Sequence, residues 1–458
     1  MIYSTPEFVA LLIVLGSLAR FLGSTGRQIL LLAGSTIFIA WAGWITSGIL
    51  FAVSLVLWIA VRLGQEVPQH RRALIAAAVG VLGLNLFFWK YWTWVADQLG
   101  IVPGPVTSLL LEIGLPIGVS FYTLTAISYL VDFQRGVAKD AGLVDFLLFQ
   151  SFFAHLIAGP LVRHDELMPQ AQRPPRATVE DVMAGTELFC IGLFKKMVLG
   201  DRPAKFVDPV FADPGNFSAA TIICALALYA VQIYGDFSGY TDMGRGAARI
   251  CGVRLPENFN APYFATSIRD FWRRWHMTLG RFLRDYIYIP LGGSRVTPGR
   301  ASANLMITWT IGGFWHGAAW NFVLWGMYQG ALMVFERTWE RTVRWTPPPS
   351  VSIPLTFVAV MAGWMLFRIE DLGDLGAIAD KMGSLFSAPL ALDRPMLATA
   401  AVALVLTFVV QWLQARRDSI AVTVGRLPAW SRGLAIGSLA VTAIALRGID
   451  APFIYFAF

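Results

Sequence analysis

Apolar residues run along this chain in long blocks, and charged residues gather in the short stretches between them. Uncharged or nearly uncharged segments begin near Phe8, Ile29, Gly48, Leu74, Val106, Leu143, Val182, Ser218, Ala301, Val351, Leu397 and Leu434. Their lengths suit a hydrocarbon core of about 30 Å, so the pattern predicts roughly ten to twelve transmembrane helices. The fold class expected is therefore all-α: a polytopic bundle forming a single integral-membrane domain over residues 1–458, with re-entrant and interfacial helices besides. The first apolar run has no basic stretch before it and many runs after it, so it reads as a true span and not as a cleaved signal.

One block is too long for its flanks. From Ala301 to Phe335 there is no Asp, Glu, Lys or Arg, while Arg295, Arg300, Arg337, Arg341 and Arg344 stand on either side. A single helix of that length would reach about 52 Å, well beyond the core, and both basic ends favour the same side of the membrane. The block is expected to be two helices meeting at a break, with Gly312, Gly313 and Gly317 supplying the flexibility. His316, the one titratable side chain between Thr308 and Gly326, would lie near that break, about 24 Å of helix from the inner surface. An ionisable group at depth is costly and marks a substrate path or a proton relay.

A second stretch, IRDFWRRWHMTLGRFLRDYIYIPLGGSR from Ile268 to Arg295, has helical periodicity with two chemistries. Ile268, Phe271, Trp272, Trp275, Leu279, Phe282, Leu283 and Tyr286 share one side, and Arg269, Arg273, Arg274, Arg281 and Arg284 the other. This predicts an amphipathic helix at the cytoplasmic interface, with His276 on the border of its two faces. Its basic face suits anionic headgroups, or equally the phosphates of a donor arriving from the cytoplasm. A third stretch, YGDFSGYTDMGRG from Tyr234 to Gly246, is too polar for lipid. Asp236 or Asp242 could orient an imidazole, or each could cap a helix or pair with Arg245 or Arg249.

Composition agrees with the pattern. Mean hydropathy is +0.60 and 14% of residues are charged, where a soluble domain carries about a quarter. The net charge of +7 sits in short loops, which points to membrane topology and a lipid environment, not to nucleic acid. Basic loops at Arg20–Arg27 and Arg62–Arg72 alternate with uncharged or acidic ones at Trp44–Ser47 and Ala96–Val106. This places the N-terminus outside, and the later alternation (Arg337–Arg344 in, Glu370–Asp393 out, Arg416–Arg432 in) places the C-terminus outside as well. Cys190, Cys224 and Cys251 lack metal-site spacing and read as buried thiols. No metal site is expected.

With WRRWHMTLGRFLRDYIYIPLGGSR, FWHGAAWNFVLWG, DFSGYTDMGRG, HLIAGPLVRHDEL and the terminal FIYFAF in order, the chain resembles the membrane-bound O-acyltransferase superfamily, in its bacterial branch of alginate O-acetyltransferase membrane subunits. The resemblance is close over about His155 to Phe335. It implies a helical ring around a central funnel and an acyl transfer from a cytoplasmic thioester, acetyl-CoA, with no bound cofactor. It makes His316 the catalytic histidine and His276 a second one, at the inner surface. Asp236, Tyr240, Asp242, Trp315 and Asn321 would support them, and Arg273, Arg274, Arg281 and Arg284 would bind the donor. The acceptor would be an exported polysaccharide, reached directly or through an SGNH-type acetyltransferase or esterase partner outside the inner membrane. The tail departs from the family's FIYFQF by placing Ala457 where an amide side chain is usual. Two other functions fit part of the pattern: D-alanyl transfer to a cell-wall polymer, and polysaccharide transport. No GxSxG elbow is present, so a covalent acyl-enzyme is not expected.

Overall fold

The computed structural model describes residues 1–157, 159–343, 345–383, 394–416 and 428–446, and among them it is all-helical with no strand. Among the described residues, five helices are long and apolar enough to cross a membrane: Trp44–Glu66, Pro68–Leu99, Ala219–Ile250, Pro349–Arg368 and Arg394–Ala415. Pro6–Leu18 and Trp430–Ala445 are apolar but shorter. Several of the remaining apolar blocks are divided. The block from Leu143 leaves the helix after Ser151, where Phe152 turns to ψ 114° and the Phe153 N–H donates to Ser35 Oγ at 3.1 Å. The block near Val106 forms a helix of only seven residues, Pro105–Leu111. The expected tail segment 447–458 and the acidic loop residues 384–393 lie outside the described residues.

The chain packs as two compact units, Met1–Phe189 with Tyr240–Pro256, and Cys190–Gly239 with Glu257–Phe458. The first has an aromatic core. Tyr3 donates its hydroxyl to Phe153 O at 2.6 Å, its ring lies 4.4 Å from Tyr240 and 4.9 Å from Phe8, and Phe8 packs on Phe38, Phe153 and Phe189. Gly244 and Gly246 bring the end of the Ala219–Ile250 helix against the backbone of Ala154 and Gly185, where any Cβ would collide. The glycines of DMGRG are therefore packing residues.

In the second unit the same logic governs DFSG. Gly235 and Gly239 stand one turn apart on the long helix, the small-residue spacing that lets helices approach closely. A Cβ on Gly235 would meet Leu199, and one on Gly239 would meet Gly192 O and Lys196 N. The segment they face, Lys195–Gly200, is wound as a π-helix, and it turns a lysine inward. Lys196 Nζ lies 2.6 Å from both Asp201 Oδ1 and Asp236 Oδ1, with all three side chains almost wholly buried. Three charges at depth are tolerable because each is paired.

Candidate active site

Both histidines singled out in the sequence belong to the second unit, and they line one cavity. The Ala301–Phe335 block is divided as expected into Pro298–His316 and Trp320–Thr342, with Gly317 and Ala319 extended between them (φ −160° and −155°). His316 is the last residue of the first helix. The glycines do different work from that expected of them. Gly312 and Gly313 lie inside the helix and are not the break. A Cβ on Gly313 would run into Phe322 O and Gly326, so this glycine sets how closely the two helices approach. Gly317 does sit at the turn, where a Cβ would strike the Phe322 ring.

Close packing holds the His316 ring among aromatic ones: Trp315 at 5.0 Å, Trp325 at 5.1 Å and Phe367 at 5.4 Å between centroids. The Trp325 and Phe367 contacts are edge-on, the arrangement favoured by ring quadrupoles. Asn321 is buried too, and its Nδ2 donates to Ile369 O at 2.8 Å, tying the start of Trp320–Thr342 to the end of Pro349–Arg368.

The amphipathic stretch differs from expectation in two respects. It is not a single helix but two, Ile268–Arg274 and Met277–Leu283, separated by Trp275 and His276 and followed by a π-turn, Arg284–Tyr288. The break is His276 itself, whose backbone is left-handed (φ 43°). The expected faces survive the break, since Ile268, Phe271, Trp272, Trp275, Leu279, Phe282 and Leu283 are all buried while Arg273 and Arg284 are exposed. His276 is not on the border between faces. The change of direction buries it to 1% exposure, and burial pushes the imidazole down to about 3.

Trp272, His276, Leu279, Gly280, Leu283, Trp309, Gly312, His316 and Trp325 enclose a cavity of about 10 Å³, room for a single water-sized sphere. Its wall is built from a tryptophan cluster: Trp272 lies 4.2 Å from Trp309 and 5.7 Å from Trp325 and donates its Nε1–H to Gln329 Oε1 at 3.3 Å. The result is two buried imidazoles in an apolar, aromatic lining, a setting in which hydrogen bonds and charges act with little screening.

The other sequence candidates are distributed more widely. Asp236 pairs with Lys196, and it is the neighbouring Phe237 that packs on His276, edge to face at 4.7 Å. Tyr240 and Asp242 belong to the first unit, Tyr240 against Tyr3 and Asp242 3.3 Å from Arg245, the first of the two pairings open from sequence. Arg274 bonds Asp270 at 2.9 Å and Arg284 bonds Asp285 at 2.6 Å, so part of the basic face is neutralised locally. Cys224 and Cys251 are buried as expected, while Cys190 is half-buried. Asn258 and Thr278, which hold His276, were not singled out; nothing in ENFN or HMTLG marks them, and Asn258 lies eighteen residues before the histidine.

Residues 84–370 match the model of the membrane-bound O-acyltransferase family, more than half of the 458 residues and the whole of this cavity. The chain belongs to that family. It is an integral membrane protein and an O-acyltransferase. It is 38% identical over 361 residues to a probable alginate O-acetylase of Azotobacter vinelandii, covering 76% of this chain and 70% of the relative. It is 36% identical over 390 residues to its counterpart in Pseudomonas aeruginosa, covering 81% and 73%. A peptidoglycan O-acetyltransferase of Helicobacter pylori is 35% identical over 350 residues, covering 69% and 66%.

Proposed function

We propose that this O-acyltransferase takes an acetyl group from acetyl-CoA on the cytoplasmic side and passes it across the inner membrane to O-acetylate an exported polysaccharide. The observation that carries the reading is the shared cavity, which two buried imidazoles line together with a tryptophan wall. His316 acts as general base. It takes the proton of an attacking hydroxyl as the hydroxyl oxygen bonds to the acetyl carbonyl carbon; the carbon–sulfur bond then breaks, and the proton passes to the thiolate, releasing the free thiol. Aromatic walls that exclude water protect the thioester from hydrolysis.

The remaining residues take supporting roles. Trp315 packs on the His316 ring, Asn321 anchors the helix that follows, and Asp236, Tyr240 and Asp242 hold the long helix through their own partners. Arg273, Arg274, Arg281 and Arg284 meet the donor's phosphates, foremost Arg273, which is exposed and has no acidic partner among the described residues. The attacking hydroxyl belongs to the sugar or to a serine of an SGNH-type partner outside, and the whole chain works as one acyltransferase domain with both termini outside. The names of the relatives, which act on alginate and peptidoglycan, support a polysaccharide acceptor.

Replacing His316 with Ala tests the reading. O-acetyl esters on the cell-surface polymer should vanish while the amount of polymer exported stays unchanged. Reduced export with normal acetylation of what remains would overturn it in favour of transport, and loss of D-alanyl esters instead of acetyl esters would change the cargo.

A further inference from the structure

His276 is bound through one nitrogen only, and the partner decides which nitrogen carries the proton. Asn258, fully buried, places Oδ1 3.1 Å from the backbone N of Thr278, 2.8 Å from Thr278 Oγ1 and 3.3 Å from His276 Nδ1. A backbone N–H can only donate, so the atom facing it is the amide oxygen, and the orientation of the Asn258 side chain is fixed. An oxygen in that place accepts from Nδ1. The two backbones are tied together on either side of the contact, because the Met277 N–H donates to Asn258 O at 3.0 Å and the Asn260 N–H donates to Arg274 O at 2.9 Å. The other nitrogen, Nε2, is buried and has no hydrogen-bond partner among the described residues, and the ring lines the cavity shared with His316.

We infer that Asn258, backed by Thr278, is a positioning residue that keeps the His276 proton on Nδ1, so that Nε2 stands unprotonated as a hydrogen-bond acceptor for an O–H or N–H group of the ligand in the cavity. The inference deepens the acyl-transfer reading and rests on it for the identity of the ligand. It divides the labour between the two rings. A neutral imidazole with its lone pair toward the ligand can receive a proton or orient a donor group, but it has none to give to a leaving thiolate. The proton returned to sulfur must then come from His316, and His276 grips the attacking hydroxyl or an amide N–H of the donor's arm.

Nitrogen-15 spectra of the histidine-labelled protein in lipid bilayers, with the His276 signals assigned by their loss in His276→Gln, test the inference without any assay of activity. A pyrrole-type Nδ1 and a pyridine-type Nε2 at neutral pH are expected; the reverse pattern, or an imidazolium, would overturn it. Asn258→Asp removes no bond, since Nδ2 has no partner among the described residues, and its carboxylate still accepts from Nδ1, so Nδ1 should stay pyrrole-type. Asn258→Leu should scramble the tautomer and lower O-acetylation about 10- to 100-fold at equal amounts of protein in the membrane, as losing a ring-orienting partner does elsewhere. Thr278→Val, a milder change, should scramble it in part. An unchanged His276 spectrum in a folded Asn258→Leu protein would also overturn the inference. A correct tautomer in a protein whose acetylation survives His316→Ala would leave the positioning intact and remove only the proposed function.

Discussion

His276 combines two demands at a single residue, a left-handed backbone and an imidazole. The left-handed region costs a residue with a Cβ about 1–2 kcal/mol, and asparagine bears that cost better than branched side chains do. His276→Asn should therefore fold about as well as the parent, while His276→Val should lose roughly 1–2 kcal/mol more, read from thermal unfolding in detergent. Equal stability of the two variants would mean that the turn at φ 43° is not strained. A pH dependence follows from burial. Burial pushes the folded imidazole down to about 3, against about 6.5 in the unfolded chain, so the folded state binds fewer protons between those values. Its contribution to stability is complete above about 6.5 and is lost as pH falls toward about 3. Stability should fall more steeply from about pH 7 to about pH 4.5 in the parent than in His276→Asn, and parallel curves would contradict it. Both histidines stand out in the sequence by their tryptophan neighbours, but their shared cavity does not, since the pattern sets His276 on a face border and the structure buries it. Asn258 was not legible, since a buried amide is recognised only by what it bonds.

Periodicity reads helices well and single residues badly. Seven of the eight apolar positions from Ile268 to Tyr286 are buried as the wheel predicts, with Tyr286 half-buried and only Arg273 and Arg284 of the five arginines exposed, and one left-handed residue divides the segment. The break in the Ala301–Phe335 block was legible from length and flanking charge; the role of Gly313 was not, because a glycine that permits flexibility and one that permits contact look alike. Lys196 was hidden for a related reason. A pair of lysines at the end of an apolar run looks like an interfacial anchor, and its partner Asp236 is forty positions away across a π-turn. The geometry separates two substitutions. Asp236→Asn keeps a polar group beside Lys196 and leaves Asp201 paired with it, whereas Lys196→Met removes the cation that lies 2.6 Å from both buried carboxylates. Breaking a buried pair costs about 3–5 kcal/mol, so Lys196→Met should destabilise the extracted protein by at least that much and Asp236→Asn by clearly less. The opposite order would mean that the lysine is not the keystone of the cluster.

Composition alone assigned the molecule to the membrane, and the all-helical class followed from the bilayer's demand that every backbone group be satisfied within the chain. The count of spans was less legible, because apolar blocks such as the one from Leu143 are divided by turns that hydropathy does not register. Orientation depends on loop charge, and the proposed direction of transfer depends on orientation. The helices Trp44–Glu66 and Pro68–Leu99 follow each other across a one-residue joint at Val67, so their junction and the far end of Pro68–Leu99 should face opposite sides. Arg62, Arg71 and Arg72 flank the junction, and Asp97 is the one charge near the far end, which assigns the junction to the cytoplasm. Gln69 and Val102 are both exposed. In a background with Cys190, Cys224 and Cys251 replaced, Val102→Cys should react with a membrane-impermeant maleimide added to intact cells whose outer layers have been made porous. Gln69→Cys should react only after the inner membrane is opened. The reverse labelling would put the basic Ile268–Arg295 segment, which the same charge rule assigns to the donor's side, on the side without acetyl-CoA, and transfer in the proposed direction would then be impossible.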